Sequence, residues 1–444
     1  MKKNRKKVFI LLPEGTTIRN FLTTNLIKYI LENKELEVIC LLNNPEKYSK
    51  FLEHPRISYF PFYRKKSWSI SSILLLIIRS RFFSINENRS ILINHKTLPS
   101  YTLQRFIKYP FPKSKIIFNF FKLIHNYMFF ALKEVKEQFD EHNPDLVFAT
   151  HLIKRDEYDY LKEACQRGIK TIGMVKSFDN ITGKGFFAFE PEKVIVWNKI
   201  MKKQVLKLYN YKKEDIFISG VPQFDLYAEQ PDISKDKFFK DIGLDPAKKT
   251  ILYATNCHYL GIDDPKNIKY IQSKLQSINA QLIVRIHFDD FIERYPETNF
   301  KNVYFQIPGG RNKHTSEERV AHKEFIKELR DTLYFSDVTI NTASTMTLDA
   351  MASSKPVINI NFDWEDREYS KSVKRFYDLV HYETIVKFNK NSMARSKENL
   401  IELIKKYLSF PEFNLEGRSS IVSEMLEENK GNASKKISEI LLKN

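Results

Sequence analysis

Short apolar runs rich in Val and Ile, each followed by residues at helical spacing, recur along this chain and constrain its fold more than any other feature. Residues 335–360 show the unit most compactly. A β-branched strand from Asp337 to Asn341 is followed by a polar turn from Thr342 to Thr345, a helix from Met346 to Ser353 and a buried strand from Pro356 to Ile360. That is a βαβ unit with hydroxyls at the helix start. Unpaired N–H groups there, with Ser344 and Thr345 beside them, suit a phosphate or diphosphate. The same residues also fit a simpler role, in which Thr342 or Ser344 caps a crossover helix.

Taken in order, the pattern begins with a strand from Lys7 to Leu12, a loop from Pro13 to Thr17, a helix near Ile18 to Glu32 and a strand from Glu37 to Leu42. Residues 64–112 mix helix and loop signals and read as an insertion or a variable acceptor-facing part. A long helix from Lys115 to His142 stops before Asn143-Pro144. Strands then follow at Asp145 to Ala149, Lys170 to Val175, Lys193 to Trp197 and Asp215 to Gly220, with helices at Arg155 to Arg167 and Ile200 to Tyr209. Such alternation predicts a parallel, doubly wound α/β sheet. After a polar, weakly patterned stretch from Glu229 to Lys237, the alternation restarts. Strands are predicted at Thr250 to Ala254, Gln281 to Ile286, Asn302 to Gln306, Val338 to Asn341 and Val357 to Ile360. Helices are predicted near Asn267 to Ser277, Val320 to Leu333, Met346 to Ser353, Lys397 to Tyr407, Arg418 to Glu428 and Ala433 to Leu442. At 444 residues two cores are the default, and the boundaries predicted are 1–228, 229–410 and a helical tail, 411–444.

Charge is unevenly spread. The whole chain carries +18, and residues 1–125 hold 23 Lys and Arg against 7 Glu and no Asp, or +16. Aromatic residues such as Phe60, Trp68, Phe82 and Phe111 are interleaved with that charge, which suits an anionic membrane surface; a solvated basic face fits the same composition. No helix-turn-helix, zinc-finger or RNA-binding signature supports a nucleic-acid partner. The amino-terminal apolar run stops at Pro13 and Glu14, so it reads as a lead-in to the first strand rather than a signal peptide, and no transmembrane helix is predicted. Cys40, Cys165 and Cys257 are sparse and lack metal spacing, as in a reducing compartment. The localisation predicted is cytoplasmic, peripheral at the inner face of the cell membrane.

Several chemistries lose their main support. The sequence holds no Walker loop, no Gly-x-Gly-x-x-Gly after the first strand, no His-Glu-x-x-His and no Gly-x-Ser-x-Gly. It also lacks any Asp-x-Asp pair, which weakens a metal-clamped sugar transferase. The paired α/β halves, the Ser/Thr helix start followed by Asp349-Ala350 and Lys355-Pro356-Val357-Ile358, and the helical tail resemble the GT-B glycosyltransferase superfamily. Gly220 to Asp225, Ile251 to Thr255, Val284-Arg285-Ile286-His287 and Asp363 to Tyr369 also resemble the CDP-glycerol glycerophosphotransferases of teichoic acid synthesis. Asn341-Thr342-Ala343-Ser344-Thr345 departs from that family's usual Thr-Asp-Tyr-Ser-Ser; Asp349 replaces the frequent glutamate of sugar transferases, and Ser354 their frequent glycine.

The resemblance implies two Rossmann-like domains facing a cleft, with the nucleotide on the second. Thr342, Ser344, Thr345 and Met346 would then meet the diphosphate without a metal, and Asp349 would accept ribose hydroxyls; an exposed polar position on the helix is the other role open to it. Arg285 and His287 end a predicted strand, where open α/β sheets place ligands, with pairing to Asp289 or Asp290 as the alternative for the arginine. His258, Asn256 and His314 are weaker candidates. An inverting transfer needs a base from the first domain, and Glu14 after the first strand is the first choice, with Asp179 the second. Lys184 and His95 are candidate acceptor contacts, and His151 follows them as a further histidine. No cofactor is implied, since a nucleotide sugar is a substrate. The function implied is a metal-independent glycosyltransferase moving a sugar from a nucleotide donor to a cell-surface polysaccharide or lipid-linked glycan. A CDP-glycerol-type polyol-phosphate transferase, a non-catalytic adaptor for glycan or lipid, and a nucleotide-sugar epimerase are the alternatives.

Overall fold

Two parallel sheets organise the chain. The computed structural model describes residues 5–64, 120, 123–125, 130–153, 155–184, 187, 189–295, 302–309, 315–426 and 430–444. These fall into two units, one of Met1–Gly220 with Leu379–His381 and Asn432–Asn444, the other of Val221–Asp378 with Tyr382–Gly431. The division after Gly220 precedes the expected boundary at 228, and the expected tail, 411–444, is shared between the units.

In the first unit the strands are β1 (Lys6–Leu12), β2 (Leu36–Leu42), β3 (Ile57–Pro61), β4 (Leu146–Ala149), β5 (Lys170–Met174), β6 (Lys193–Val196) and β7 (Ile216–Ile218). They lie in the order β3-β2-β1-β4-β5-β6-β7, each pair parallel. Val8 to Leu12 are all buried, because a central parallel strand is covered on both faces and has no polar side. The order reverses between β1 and β4. At such a reversal the loops leaving adjacent strands diverge, and a crevice opens at their carboxyl ends.

The loop and helix predicted after β1 take a different form. Helix already begins at Gly15, passes through a wide π-turn at Ile18–Leu22, and resumes at Leu26–Glu32. Thr23 and Thr24 cause the interruption, since their hydroxyls donate to the carbonyls of Arg19 (2.7 Å) and Asn20 (3.0 Å) and take acceptors from the helical ladder. Within the long helix expected from Lys115 to His142, residues 120, 123–125 and Lys133–His142 are helical and residues 130–132 are not. Leu132, with an extended ψ of 147, stands as the N-cap from which the helix Lys133–His142 starts. β3 is a half-buried edge strand that the irregular run Ile57-Ser58-Tyr59-Phe60-Pro61 does not announce; a proline is tolerated there because an edge leaves N–H positions unpaired. The last helix, Ala433–Lys443, buries Ile437, Ile440 and Leu441 on one face and packs on Leu26–Glu32 of the same unit.

The second unit contains β8 (Lys249–Ala254), β9 (Ala280–Arg285), β10 (Val303–Gln306), β11 (Val338–Asn341), β12 (Val357–Ile360) and β13 (Met393–Ala394), ordered β10-β9-β8-β11-β12-β13 and parallel throughout. β13, with two residues, is too short to carry a period. The reversal here lies between β8 and β11. Ile251, Tyr253, Val284, Ile340, Ile358 and Ile360 build the core with Leu400, Ile404 and Tyr407 from the helix Lys397–Ser409. Burying each such aliphatic side chain contributes about 1.5–3 kcal/mol. The helix expected from Val320 to Leu333 is two, Ser316–Val320 and Phe325–Phe335, and the weakly patterned stretch after 229 leads into a helix, Lys235–Asp241, capped by Ser234. Ser354 has φ 61, the left-handed region in which glycine is unstrained, so the glycine frequent in sugar transferases has a backbone reason at this position. Among the described residues no helix is long and apolar enough to cross a membrane.

Candidate active site

At the reversal of the first sheet, three strand ends bring charged side chains together. Glu14 follows β1, His151 follows β4 and Lys176 follows β5. The Lys176 ammonium donates to Glu14 Oε1 and, at 3.0 Å, to Thr16 Oγ1; Thr16 Oγ1 donates to the same carboxylate oxygen at 2.7 Å. His151 Nδ1 lies 3.3 Å from Glu14 Oε1. Behind this group, Glu157 accepts the backbone N–H groups of Thr150 and His151, both at 2.8 Å, which fixes the loop leaving β4. Thr150 Oγ1 donates to the Leu11 carbonyl at 2.5 Å and so ties that loop to β1. Burial pushes the Glu157 carboxyl up to about 8, against the effect of those hydrogen bonds, and the nearby Glu14 charge adds to the rise.

Asp179 and Lys184, predicted for different roles, form a pair at 2.9 Å. Burial raises the Asp179 carboxyl, but the Lys184 ammonium and His381 outweigh it and hold the group well below the usual carboxylate range. A carboxylate so stabilised is a weak base. His95 and His314 lie outside the described residues. Lys176 and Glu157 are absent from the sequence expectations, because only the neighbouring of β1, β4 and β5 brings them to Glu14.

In the second unit, Arg285 does not pair with Asp289 or Asp290. Its guanidinium donates to Gln306 Oε1 (2.6 Å) and the Phe325 carbonyl (3.4 Å) and lies over the Phe325 ring, because β10 runs beside β9 and sets Gln306 opposite Arg285. Asp290 instead takes Arg294 at 2.6 Å and the Tyr295 hydroxyl at 2.6 Å. His287 Nδ1 accepts the Asp289 N–H (3.0 Å), and its Nε2 faces Cys257 Sγ at 3.6 Å. His258 Nδ1 meets the Asp289 carbonyl at 2.7 Å. The buried Asp264 accepts from Asn256 N (2.8 Å) and the Tyr253 hydroxyl (2.7 Å), and burial pushes its carboxyl up to about 6.

Beside β8, the turn after β11 is built on hydroxyls and amides. Ala343 has φ 41, uncommon for a residue other than glycine, and its N–H donates to the Tyr377 hydroxyl at 3.1 Å. Tyr382 donates to the Ser344 carbonyl at 2.7 Å, and Ser344 Oγ accepts from Met346 N at 3.1 Å, as a capping residue does. Thr345 is exposed. Asp349 is buried rather than on an exposed face, and accepts from the Tyr227 hydroxyl at 2.7 Å and Gln223 Nε2 at 3.4 Å. Three buried polar atoms at the ends of β8 and β11, Asn256 Nδ2, Asn341 Nδ2 and Thr342 Oγ1, make no hydrogen bond among the described residues. Each such atom costs about 1–3 kcal/mol unless something polar meets it. No group of three or more His, Cys, Asp or Glu able to hold a metal occurs among the described residues.

A family model described as CDP-glycerol:poly(glycerophosphate) glycerophosphotransferase matches residues 188–443, more than half of the chain. No curated protein matches the sequence. Among solved structures, the chain is similar to UDP-GlcNAc 2-epimerase from Neisseria meningitidis bound to UDP-GlcNAc, at 14% identity and TM-score 0.55, covering 99% of this chain and 100% of that one. The 2-epimerase of Methanocaldococcus jannaschii gives 12% identity, TM-score 0.55 and coverage of 99% and 100%. A variant of the wall teichoic acid polymerase TagF gives 12%, 0.54, and coverage of 99% and 88%. At these identities the likeness is one of fold, and the fold is GT-B.

Proposed function

Because the chain belongs to the CDP-glycerol:poly(glycerophosphate) glycerophosphotransferase family, we propose that it is a polyol-phosphate transferase acting in surface-polymer synthesis, with a CDP-linked polyol as donor and a growing polymer or lipid-linked glycan as acceptor. The observation that carries this reading is the family match itself, whose span includes the β8 and β11 ends and their three unpartnered polar atoms. An acceptor hydroxyl attacks the phosphorus bonded to the polyol. A new O–P bond forms, the diphosphate P–O bond breaks, and CMP leaves. Glu14 takes the hydroxyl proton, with Lys176 and Thr16 donating to its carboxylate and His151 Nδ1 beside it at 3.3 Å. The Thr342 and Thr345 hydroxyls are the donors available for the charge growing on the departing phosphate, since the Ala343, Ser344 and Met346 N–H groups are taken by Tyr377, Asn341 and Ser344, and a hydroxyl held in place needs little rearrangement to act. The exposed Thr345 extends that donor surface, and His287 follows β9, on the far side of β8. The basic residues 1–125 would hold the enzyme to an anionic membrane at its cytoplasmic face.

A second reading, transfer of a sugar from a nucleotide sugar, is favoured by Thr342 and Ala343, which stand where the glycerophosphotransferases usually carry Asp-Tyr. One assay separates the two. Purified protein is incubated with a polyol-phosphate acceptor and with CDP-glycerol or UDP- and GDP-sugars in turn, and released nucleotides are resolved by chromatography. CMP from CDP-glycerol is the expected product. Release of UDP or GDP with sugar transfer, and no CMP, would replace the first reading by the second.

A further inference from the structure

Asn341 closes β11 at the reversal of the second sheet and is fully buried. Its Oδ1 accepts from Ser344 N at 3.4 Å, Thr347 Oγ1 at 3.1 Å and Asn359 Nδ2 at 3.1 Å. A backbone N–H can only donate, so the end of the amide facing Ser344 is the oxygen and the other end is the NH2. Asn359 is oriented in turn. Its Nδ2 also donates to Thr347 Oγ1 at 2.9 Å, and its Oδ1 accepts from Asn389 Nδ2 at 2.9 Å. Asn389 Oδ1 accepts from Asn414 Nδ2 at 3.0 Å, and Asn414 Nδ2 also reaches Ser392 Oγ at 3.2 Å. Four amides thus form a series of three donations in one direction, from the start of the helix Leu415–Met425, through the end of the helix Glu383–Asn389 and through β12, to the end of β11.

The direction matters because it decides what is left over. Every local demand on Asn341 is met by its oxygen, and its Nδ2 makes no hydrogen bond among the described residues. Chained hydrogen bonds also polarise one another, so the last donor of such a series is a stronger donor than an isolated amide. It stays neutral at every pH and presents two N–H groups, the property needed to read an anionic oxygen.

We propose that Asn341 donates from Nδ2 to a phosphate oxygen of the bound nucleotide donor, and that Asn414, Asn389 and Asn359 are positioning residues that fix which end of its amide is presented. This rests on the donor-site reading given above, and the test separates the two. Dissociation constants of CDP, UDP and cytidine are measured by calorimetry on the full-length protein, with thermal melts as a check on folding. The wild type binds CDP far more tightly than cytidine. Asn341→Asp replaces the donor by an acceptor of similar shape and weakens CDP by about 10- to 100-fold while cytidine changes little, since hydrogen bonds to charged groups are the strong ones. Asn359→Asp removes the donor to Asn341 Oδ1 and sets a carboxylate oxygen against it, opposing the Ser344 N–H in orienting the amide, so a selective loss of CDP affinity, smaller than that of Asn341→Asp, appears at a residue that touches no ligand. A folded Asn341→Asp or Asn359→Asp protein with the CDP to cytidine ratio of the wild type overturns the proposal and leaves the donor-site reading intact. A wild type that binds neither CDP nor UDP overturns both. Should those variants not fold, Asn414→Ala, at the partly exposed end of the relay, carries the test: a selective loss of about threefold supports the relay, and an unchanged ratio overturns it.

Discussion

The two sheets reverse their strand order in the same way, yet the residues placed at the two reversals differ in kind. At the first, Glu14, Lys176, His151 and Glu157 are all ionisable. At the second, beside β11, the contacts are made by asparagine, threonine, serine and tyrosine groups that remain neutral near pH 7. One crossover geometry can therefore carry two kinds of chemistry. A cluster of coupled charges can accept and release a proton, and its behaviour follows pH. Oriented neutral dipoles bind an anion without competing with it for protons. The difference teaches that the fold supplies a place, and the side-chain chemistry at each strand end decides its use.

The most direct way to break this contrast is to remove the charge at the first reversal. Glu14→Gln keeps the size of the side chain and removes the proposed base. Turnover of CDP-glycerol should fall by about 10²- to 10⁴-fold, the usual contribution of a positioned base, with CDP affinity unchanged. Asp179→Asn, measured alongside, should lower turnover by less than about tenfold, because the Lys184 partner already makes Asp179 a poor base. Equal losses in the two variants, or loss of CDP affinity in Glu14→Gln, would remove the division of labour.

Glu157 sharpens the contrast through stability. Its carboxyl is pushed from an ordinary 4.5 up to about 8. Between those values the unfolded chain gives up the proton while the folded protein keeps it, so folding binds a proton there. The stability contributed by the protonated group is complete below the lower value and is lost as pH rises through the upper one. The penalty above about 8 is on the order of a few kcal/mol, given burial this complete. Glu157→Gln removes the titration, so the gap in melting temperature between variant and wild type should change in the variant's favour from pH 5 to pH 9. A gap that stays constant across that range would show that Glu157 has no raised titration.

Much of this was legible before any coordinates. Parallel strands buried on both faces show as continuous runs of Val, Ile and Leu, and this made both sheets readable. Glu14 and the Thr342 to Asp349 stretch were visible because they directly follow such runs. Lys176 and Glu157 are not, since they come near Glu14 only because β4 lies beside β1 and β5 beside β4, an order that periodicity does not encode. Arg285 shows the same limit: its partner Gln306 is set by the register of β9 on β10. The asparagine relay joins residues as far apart as Asn341 and Asn414, each of which alone reads as an ordinary polar residue.

The smallest expected effect tests the other side of the contrast. If neutral dipoles at the β11 end hold the diphosphate, the groups that touch it do not titrate. Asn341, Thr342, Ser344 and Thr347 keep their donors at every accessible pH, and Asp264, which braces Asn256, is already ionised above its value of about 6. Between pH 7.5 and 9 the diphosphate is itself fully charged, so its dissociation constant should vary by less than about twofold at fixed ionic strength. Turnover over the same range should change more, because Glu157 ionises near pH 8 behind the loop carrying His151 and beside the Glu14 charge. Calorimetric titration and initial rates, taken in the same buffers, give the two curves. A CDP affinity that falls in step with turnover would mean that a titrating group contacts the diphosphate, and the neutral character of the second site would no longer explain its binding.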